Sequence, residues 1–416
     1  MRHVILGAGP AGVVAAETLR GLDADASISI IGDEPEPPYS RMAIPYLLSG
    51  RIEERGTHLR KRGDYFAGRG IEVVRARAEK VDAKAKRVHL SGGKSKTADY
   101  DKLLVATGAR PLTPPIPGID HARVSSCWTL EDARKILAGI KNGAPVVLIG
   151  AGFIGCIILE SLVAAGAKLT IIEMGERMVP RMLDQTCGEL LQKWCEQKGV
   201  RVLTGAQVAA IEDAGKSGVS VQIKDGPAIP AELVISATGV RANAGFLEGA
   251  VKLQDGAVLA DERLASSDPD IFAAGDVACG KDFSSGEYSV QAIQPTAVEH
   301  ARIAAHNMHR SGAVRHRGAV PMNVLDTIGL ISSSYGLWRG VDGGDSGALL
   351  DAPGFRYICL RFAEDRLVGA NTLGLTQHIG VIRGLIQGRF ALGKWKQRLV
   401  ENPLQLMEAY LAVTQA

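Results

Sequence analysis

One structural plan is written twice in this chain, and that repeat constrains the fold more than any other feature. The first copy opens on His3-Val4-Ile5-Leu6, passes through Gly7-Ala8-Gly9-Pro10-Ala11-Gly12 and enters a helical stretch through Leu19. A second apolar run, Ile28 to Ile31, ends at Gly32-Asp33-Glu34. The second copy opens on Val146-Val147-Leu148-Ile149, passes through Gly150-Ala151-Gly152-Phe153-Ile154-Gly155 and enters a helix through Leu162. Its next strand, Lys168 to Ile172, ends at Glu173. Each copy closes on a similar phrase, Ala106-Thr107-Gly108-Ala109-Arg110 and Ala237-Thr238-Gly239-Val240-Arg241. Repeats on this scale mark repeated structural units.

The spacing has a physical meaning. The first glycine permits a tight turn out of the strand, the second lets backbone approach a pyrophosphate, and the third lets helix and strand pack closely. A diphosphate then sits at a helix N-terminus, where free N–H groups and the macrodipole favour negative charge. An acid ending the second strand accepts hydrogen bonds from a ribose diol; Asp33 or Glu34 fits in copy one and Glu173 in copy two. Glycine-rich turns also occur in plain α/β proteins. Two copies, each with strand, helix and acid in order, argue for two dinucleotides.

Composition narrows the class. At 416 residues the chain is too long for one core, so two or three domains are expected. A net charge of +3 and only 5% aromatic residues argue against a nucleic-acid partner. No basic segment leads into an apolar stretch with a cleavage site, and no run of ~18 apolar residues occurs, so a cytoplasmic protein without a membrane span is expected. The six cysteines (127, 156, 187, 195, 279 and 359) form no CxxC or CxxxxC pair and no zinc spacing. Reduced, mostly buried thiols are expected.

Late in the core comes Ile271-Phe272-Ala273-Ala274-Gly275-Asp276-Val277, a short strand that delivers an acceptor-only carboxylate suited to sugar-alcohol hydroxyls. With this segment the ordered set, from about Val4 to His309, resembles the FAD-dependent pyridine nucleotide-disulfide oxidoreductase superfamily. The resemblance implies that the first copy binds the ADP half of FAD through Gly7, Gly9, Pro10, Ala11 and Gly12, with Thr107, Gly108 and Arg110 in its closing phrase. The second copy would bind NAD(H) through Gly150, Gly152, Phe153, Ile154, Gly155 and Glu173, with Gly239 in its own closing phrase. Glu173 favours NADH, because a carboxylate repels a 2′-phosphate; Arg177 close by leaves room for some NADPH use. Gly275 and Asp276 would meet the ribityl-phosphate region. A helix opening at Gln294-Pro295-Thr296-Ala297 would aim its N-terminus at the flavin's pyrimidine edge. The stretch Pro37-Pro38-Tyr39-Ser40-Arg41 resembles ferredoxin- and nitrite-reductase-like members, with Arg41 over the FAD phosphates. Phe153 and Glu160 take the positions near the nicotinamide–flavin stack and are the catalytic candidates; a plain core aromatic is the alternative for Phe153.

Members that reduce disulfides carry a reactive cysteine beside the flavin, before a Gly-x-Pro-Tyr phrase. Here Met42-Ala43-Ile44-Pro45-Tyr46 puts Met42 at that position, and a thioether has no thiolate form. The lysine that many ferredoxin-reductase relatives place nearby is also missing. Hydride transfer from NADH to flavin, then delivery to an iron–sulfur protein, is the expected function; the acceptor would be a ferredoxin, a rubredoxin or a partner subunit. An NADH oxidase, a nitrite-reductase-like component and a non-enzymatic NADH-responsive scaffold are the alternatives.

The expected fold is α/β: two Rossmann-like nucleotide-binding domains plus an α+β C-terminal domain. The FAD domain takes residues 1–112 and 238–312, the NAD domain 113–237 is inserted in it, and 313–416 forms a C-terminal interface domain for dimers or redox partners. That last part is expected to hold one strand-like run from Val324 to Ile331, a strand pair around 357–362 and 367–370, and two helices. Arg383, Arg389, Lys394, Lys396 and Arg398 make a basic tract there, either a docking surface or a solvated face.

Overall fold

The computed structural model describes residues 1–415. They form two compact units, one of residues 1–44, 52–110 and 240–319, the other of residues 45–51, 111–239 and 320–415.

The first unit is built on a five-stranded sheet in the order Ile271–Ala273, Lys102–Val105, Arg2–Leu6, Ser27–Gly32, Ile71–Arg75. Every pairing in it is parallel. Parallel strands are covered on both faces, which is why Val4-Ile5-Leu6 and Leu103-Leu104-Val105 are continuous apolar runs and are buried throughout. The helix Pro10–Leu22 follows the first strand and packs on the helix Gln294–His309. Proline occupies the first turn of each, where its missing N–H costs nothing.

The second unit repeats the sheet. Its order is Arg201–Leu203, Lys168–Ile172, Pro145–Ile149, Leu233–Ser236, Val124–Ser125, again all parallel. The helix Phe153–Ala164 leaves its central strand as Pro10–Leu22 leaves the first. The same unit contains a five-stranded antiparallel sheet, ordered Met322–Thr327, Leu330–Gly336, Arg366–Leu373, Arg356–Ala363, Asp345–Asp351.

The C-terminal expectations need correction. The run Val324 to Ile331 is a hairpin rather than one strand: Ile328 and Gly329 take φ of +51° and +81°, and the Asp326 carboxylate accepts the Gly329 N–H at 2.9 Å. Among the described residues three helices follow the sheet where two were expected, Gly380–Gly388, Lys394–Glu401 and Leu406–Thr414. Arg389 at φ +49° and Gly393 at +54° break the first from the second. The basic tract is partly spent within the fold, since Lys396 pairs with Asp345 at 2.6 Å and Arg398 stacks on Trp395 at 4.7 Å. Among the described residues, no helix is long and apolar enough to cross a membrane.

Candidate dinucleotide sites

The two glycine turns have the same geometry. Gly7 sits at φ +113°, and a Cβ on it would lie 2.1 Å from the Ala106 carbonyl oxygen. A Cβ on Gly12 would lie 1.9 Å from the Gly7 oxygen. In the second unit Gly150 sits at φ +100°, with the Ala237 oxygen 2.6 Å from a Cβ, and Gly155 would clash with the Gly150 oxygen at 2.2 Å. So the closing phrases supply the backbone that lies against each first glycine. The middle glycines are different: a Cβ on Gly9 or Gly152 meets nothing within 4 Å. Each caps its helix with extended backbone that any residue could adopt. The fold requires glycine at the outer positions; open space for a pyrophosphate accounts for it at the middle ones. The residues fit the dinucleotides.

Around the first turn, predicted residues converge. Arg41 donates to the Glu34 carboxylate at 2.6 Å, and Tyr39 donates to its other oxygen at 2.5 Å. Burial, then the Glu34 carboxylate, pushes the Tyr39 hydroxyl pKa up. A Cβ on Gly108 would lie 3.8 Å from the Arg41 guanidinium, which places Arg41 over the closing phrase. Asp33 turns outward, with Arg77 at 3.4 Å. Thr107 donates its hydroxyl to the Asn243 carbonyl at 2.7 Å, and Arg110 is exposed.

Gly275, at φ +78°, draws the remaining pieces together: a Cβ there would lie 3.3 Å from the Ala297 methyl and 3.6 Å from the Ala11 methyl. The N-terminal turns of two helices therefore meet beside Asp276. Burial raises the Asp276 carboxyl pKa, and the Arg41 charge opposes the rise. A carboxylate held in that setting suits neutral donors such as ribityl hydroxyls. Thr296 is buried and Pro295 exposed. Ser40 donates to the Gln294 side chain at 2.6 Å, tying the Arg41 segment to the start of this helix. Gln291, three residues earlier, was not anticipated: its amide N and O are both buried with no partner. A group with donors and acceptors in one plane, such as a flavin's pyrimidine edge, would satisfy it.

In the second unit Glu173 holds the turn directly. Its Oε2 accepts the Ala151 N–H at 2.7 Å and its Oε1 the Gly175 N–H at 2.8 Å. Each oxygen keeps a lone pair for a ribose hydroxyl. Arg177, expected to leave room for a 2′-phosphate, donates instead to the Leu183 and Pro180 carbonyls and to the Gln185 side chain, at 3.2 to 3.4 Å. Phe153 and Ile154 open the helix and are half-buried, and Gly239 sits at φ +121°. Glu160 is held by Arg51 at 2.5 Å, and the neighbouring Ser161 donates to the Pro45 carbonyl at 2.9 Å. Nothing in the sequence around Arg51 signals that pairing.

All six cysteines are free and buried. Burial pushes the thiols of Cys127 and Cys195 up to about 12, and those of Cys156 and Cys187 well above their ordinary value. Met42 is 47% exposed, so its place in the chain is open but chemically inert to thiol exchange.

Two Rossmann-type glycine turns, one beside the half-buried Asp276 and one beside Glu173, fit a flavin- and pyridine-nucleotide-dependent oxidoreductase. Residues 1–307 match the pyridine nucleotide-disulphide oxidoreductase family, and the chain belongs to it. It is similar to the NADH-dependent phenylglyoxylate dehydrogenase subunit epsilon of Aromatoleum evansii, with 30% identity across 99% of this chain and 98% of that one. A probable ferredoxin reductase of Castellaniella defragrans is 32% identical across 77% of this chain and 78% of its own. Among solved structures, putidaredoxin reductase in its covalent complex with putidaredoxin shares the fold, with a TM-score of 0.90, 24% identity and coverage of 100% and 99%.

Proposed function

We propose that this chain takes a hydride from NADH and passes the electrons to an iron–sulfur protein, either a small carrier or a partner subunit. The carrying observation is that both glycine turns are open for a dinucleotide while Met42 stands where a thiol relay would need cysteine. When bound, FAD supplies the step from two-electron to one-electron chemistry. The protein's own residues bind, orient and exclude water. Gly9, the first turn of Pro10–Leu22 and Arg41 receive the FAD pyrophosphate, Asp276 the ribityl chain, and the 294–309 helix the pyrimidine edge. Gly152 and the Phe153–Ala164 helix receive the NADH pyrophosphate, and Glu173 its ribose.

The similarity to a dehydrogenase subunit along nearly its full length supports a partner subunit, and the similarity to a ferredoxin reductase supports a carrier. Residues 1–112 with 238–312 serve as the FAD domain, 113–237 as the NAD domain and 313–416 as the interface domain. Phe153 and Glu160 are the catalytic candidates beside the nicotinamide. The reading carries a cytoplasmic location and a dimer or partner contact through the C-terminal domain.

The test is flavin retention together with turnover. Purified protein should be yellow with noncovalent FAD, and Asp276→Ala should lose flavin on dialysis. NADH-reduced enzyme should pass electrons to ferredoxin or rubredoxin faster than to dioxygen, nitrite or CoA disulfide. Full FAD occupancy in Asp276→Ala after dialysis would count against the flavin site.

A further inference from the structure

Glu173 and Asp184 bracket a loop between the strand Lys168–Ile172 and the helix Gln185–Gln197. At its start the loop is bound to the second glycine turn in both directions: Ala151 donates its N–H to Glu173, and Val179 donates its N–H to the Ala151 carbonyl at 2.9 Å. Val179 is the unusual member. It is β-branched, 1% exposed and held at φ +49°, a left-handed conformation that such side chains avoid. A residue stays there only if its surroundings over-determine it.

Part of that determination comes from the C-terminal antiparallel sheet, in the same unit. The Val179 carbonyl accepts the N–H groups of Met182 and Leu183, both at 3.0 Å. The Asn371 side-chain amide then grips the next residues from both sides: its N–H donates to the Met182 carbonyl at 3.0 Å, and its oxygen accepts the Asp184 N–H at 3.3 Å. Tyr357 donates to Asp184 Oδ2 at 2.9 Å, while Asp184 Oδ1 caps the following helix by accepting the Cys187 N–H at 3.0 Å. Asn371 is 1% exposed and Tyr357 7%. Both sit on neighbouring strands, Arg366–Leu373 and Arg356–Ala363, that pair antiparallel with Cys359 opposite Asn371. The grip is therefore on the strained loop, and through Val179 on the glycine turn itself.

We propose that Asn371 and Tyr357 are positioning residues for NADH. They hold segment 173–184 in the strained conformation that presents Glu173 and the Ala151 backbone to the dinucleotide. The proposal rests on the reading of the second glycine turn as the NADH site. It gives the C-terminal sheet a part in nucleotide affinity although no residue of that sheet carries a nucleotide motif.

The test measures the NADH dependence of flavin reduction by stopped flow in full-length, FAD-loaded protein. Asn371→Ala should raise the NADH concentration for half-maximal rate about tenfold and leave the limiting rate within about twofold, because the contact acts on ground-state placement and not on the transfer itself. Tyr357→Phe, which removes one hydroxyl and keeps the ring, should move the same parameter less and fold normally. Flavin content and spectrum should stay at wild type in both. Adding Val179→Gly to Asn371→Ala should restore most of the affinity, since glycine takes positive φ without strain and needs no grip. Glu173→Ser is the reference arm. Wild-type half-saturation in both sheet variants, with Glu173→Ser weakened, overturns the proposal and leaves the site intact. Unchanged NADH affinity in Glu173→Ser overturns the site reading itself.

Discussion

The backbone N–H of Ala151, inside the second glycine turn, donates to Oε2 of Glu173 at 2.7 Å. The acid proposed to face the ribose thus also fixes the turn proposed to face the phosphates. On that proposal one preorganised element would read both halves of the ligand, and its remaining acceptor capacity suits neutral hydroxyls rather than a phosphate.

Nicotinamide choice follows from this pair and from Arg177. The guanidinium donates to the Leu183 and Pro180 carbonyls and to Gln185, while the Glu173 carboxylate repels a 2′-phosphate at the proposed ribose position. Stopped-flow reduction should be clearly faster with NADH than with NADPH at equal low concentration, and Glu173→Ser should narrow the gap. Equal or faster wild-type reduction by NADPH would refute the assignment.

The glycine turns separate ligand effects from folding effects. Gly9→Ala adds a methyl to open space at extended φ, so the apoprotein should keep its stability within about 1 kcal/mol while FAD retention drops. Gly12→Ala pushes a methyl against the Gly7 carbonyl and should lose the folded protein. Gly152→Ala should weaken NADH and leave FAD content alone. Thermal melts and flavin content of the three variants decide the matter; equal flavin loss in Gly9→Ala and Gly152→Ala would show that the two turns do not divide the ligands.

Much of this was legible before the fold was known, because each glycine acts on backbone a few residues away or on the matching Ala-Thr-Gly phrase. The C-terminal sheet was less legible. The strand Asp345–Asp351 buries only Gly347 and shows no alternation of apolar residues. Its Asp345 takes up Lys396, a pairing between segments 51 residues apart that turns part of an apparent basic surface into fold. Arg177 misleads in the same way. Beside Glu173 it reads as a phosphate contact, yet two of its three acceptors are backbone carbonyls, which a sequence does not display. Asn371 and Tyr357 are invisible for the same reason.

Thiol independence should be measurable in one titration. Among the described residues all six thiols are buried and unbridged, and none adjoins a flavin-facing motif in CxxxxC form. NADH should deliver two electrons per FAD, and alkylation of the folded protein should leave hydride transfer intact. A requirement for four electrons would reveal a redox-active disulfide.

Acid should weaken the first compact unit through His300. Its ring is 3% exposed with both nitrogens unpartnered, and burial, then the neighbouring His316, lowers its pKa to about 3. His316 in turn has Glu299 at 4.0 Å. A lowered folded pKa means that the unfolded chain takes up the proton first, so stability is full above the unfolded value near 6.5 and falls as pH drops toward 3. At pH 5 the loss from this one group is about 2 kcal/mol. The melting temperature should fall between pH 7.5 and 5, and His300→Leu should flatten that fall. An unchanged slope in the variant would remove His300 from the account.

The electron acceptor is tested by salt. With no thiol relay, electrons must leave the flavin directly, and one-electron iron–sulfur carriers are suited to receive them. Part of the C-terminal basic tract is absorbed by Asp345 and Trp395, while Arg383 and Lys394 stay exposed and can steer an acidic carrier. Exposed charges are screened over ~8 Å at physiological ionic strength, so steering shows in the association rate. Reduction of an added ferredoxin should therefore slow as salt rises, while reduction of the flavin by NADH barely changes. Substituting Arg383 and Lys394 with glutamine should lower the low-salt rate and shrink the salt effect. A fixed subunit with an apolar interface would behave otherwise, with salt-insensitive turnover and two chains that co-purify. Reoxidation by dioxygen as fast as flavin reduction, with ferredoxin adding nothing, would make the protein an NADH oxidase.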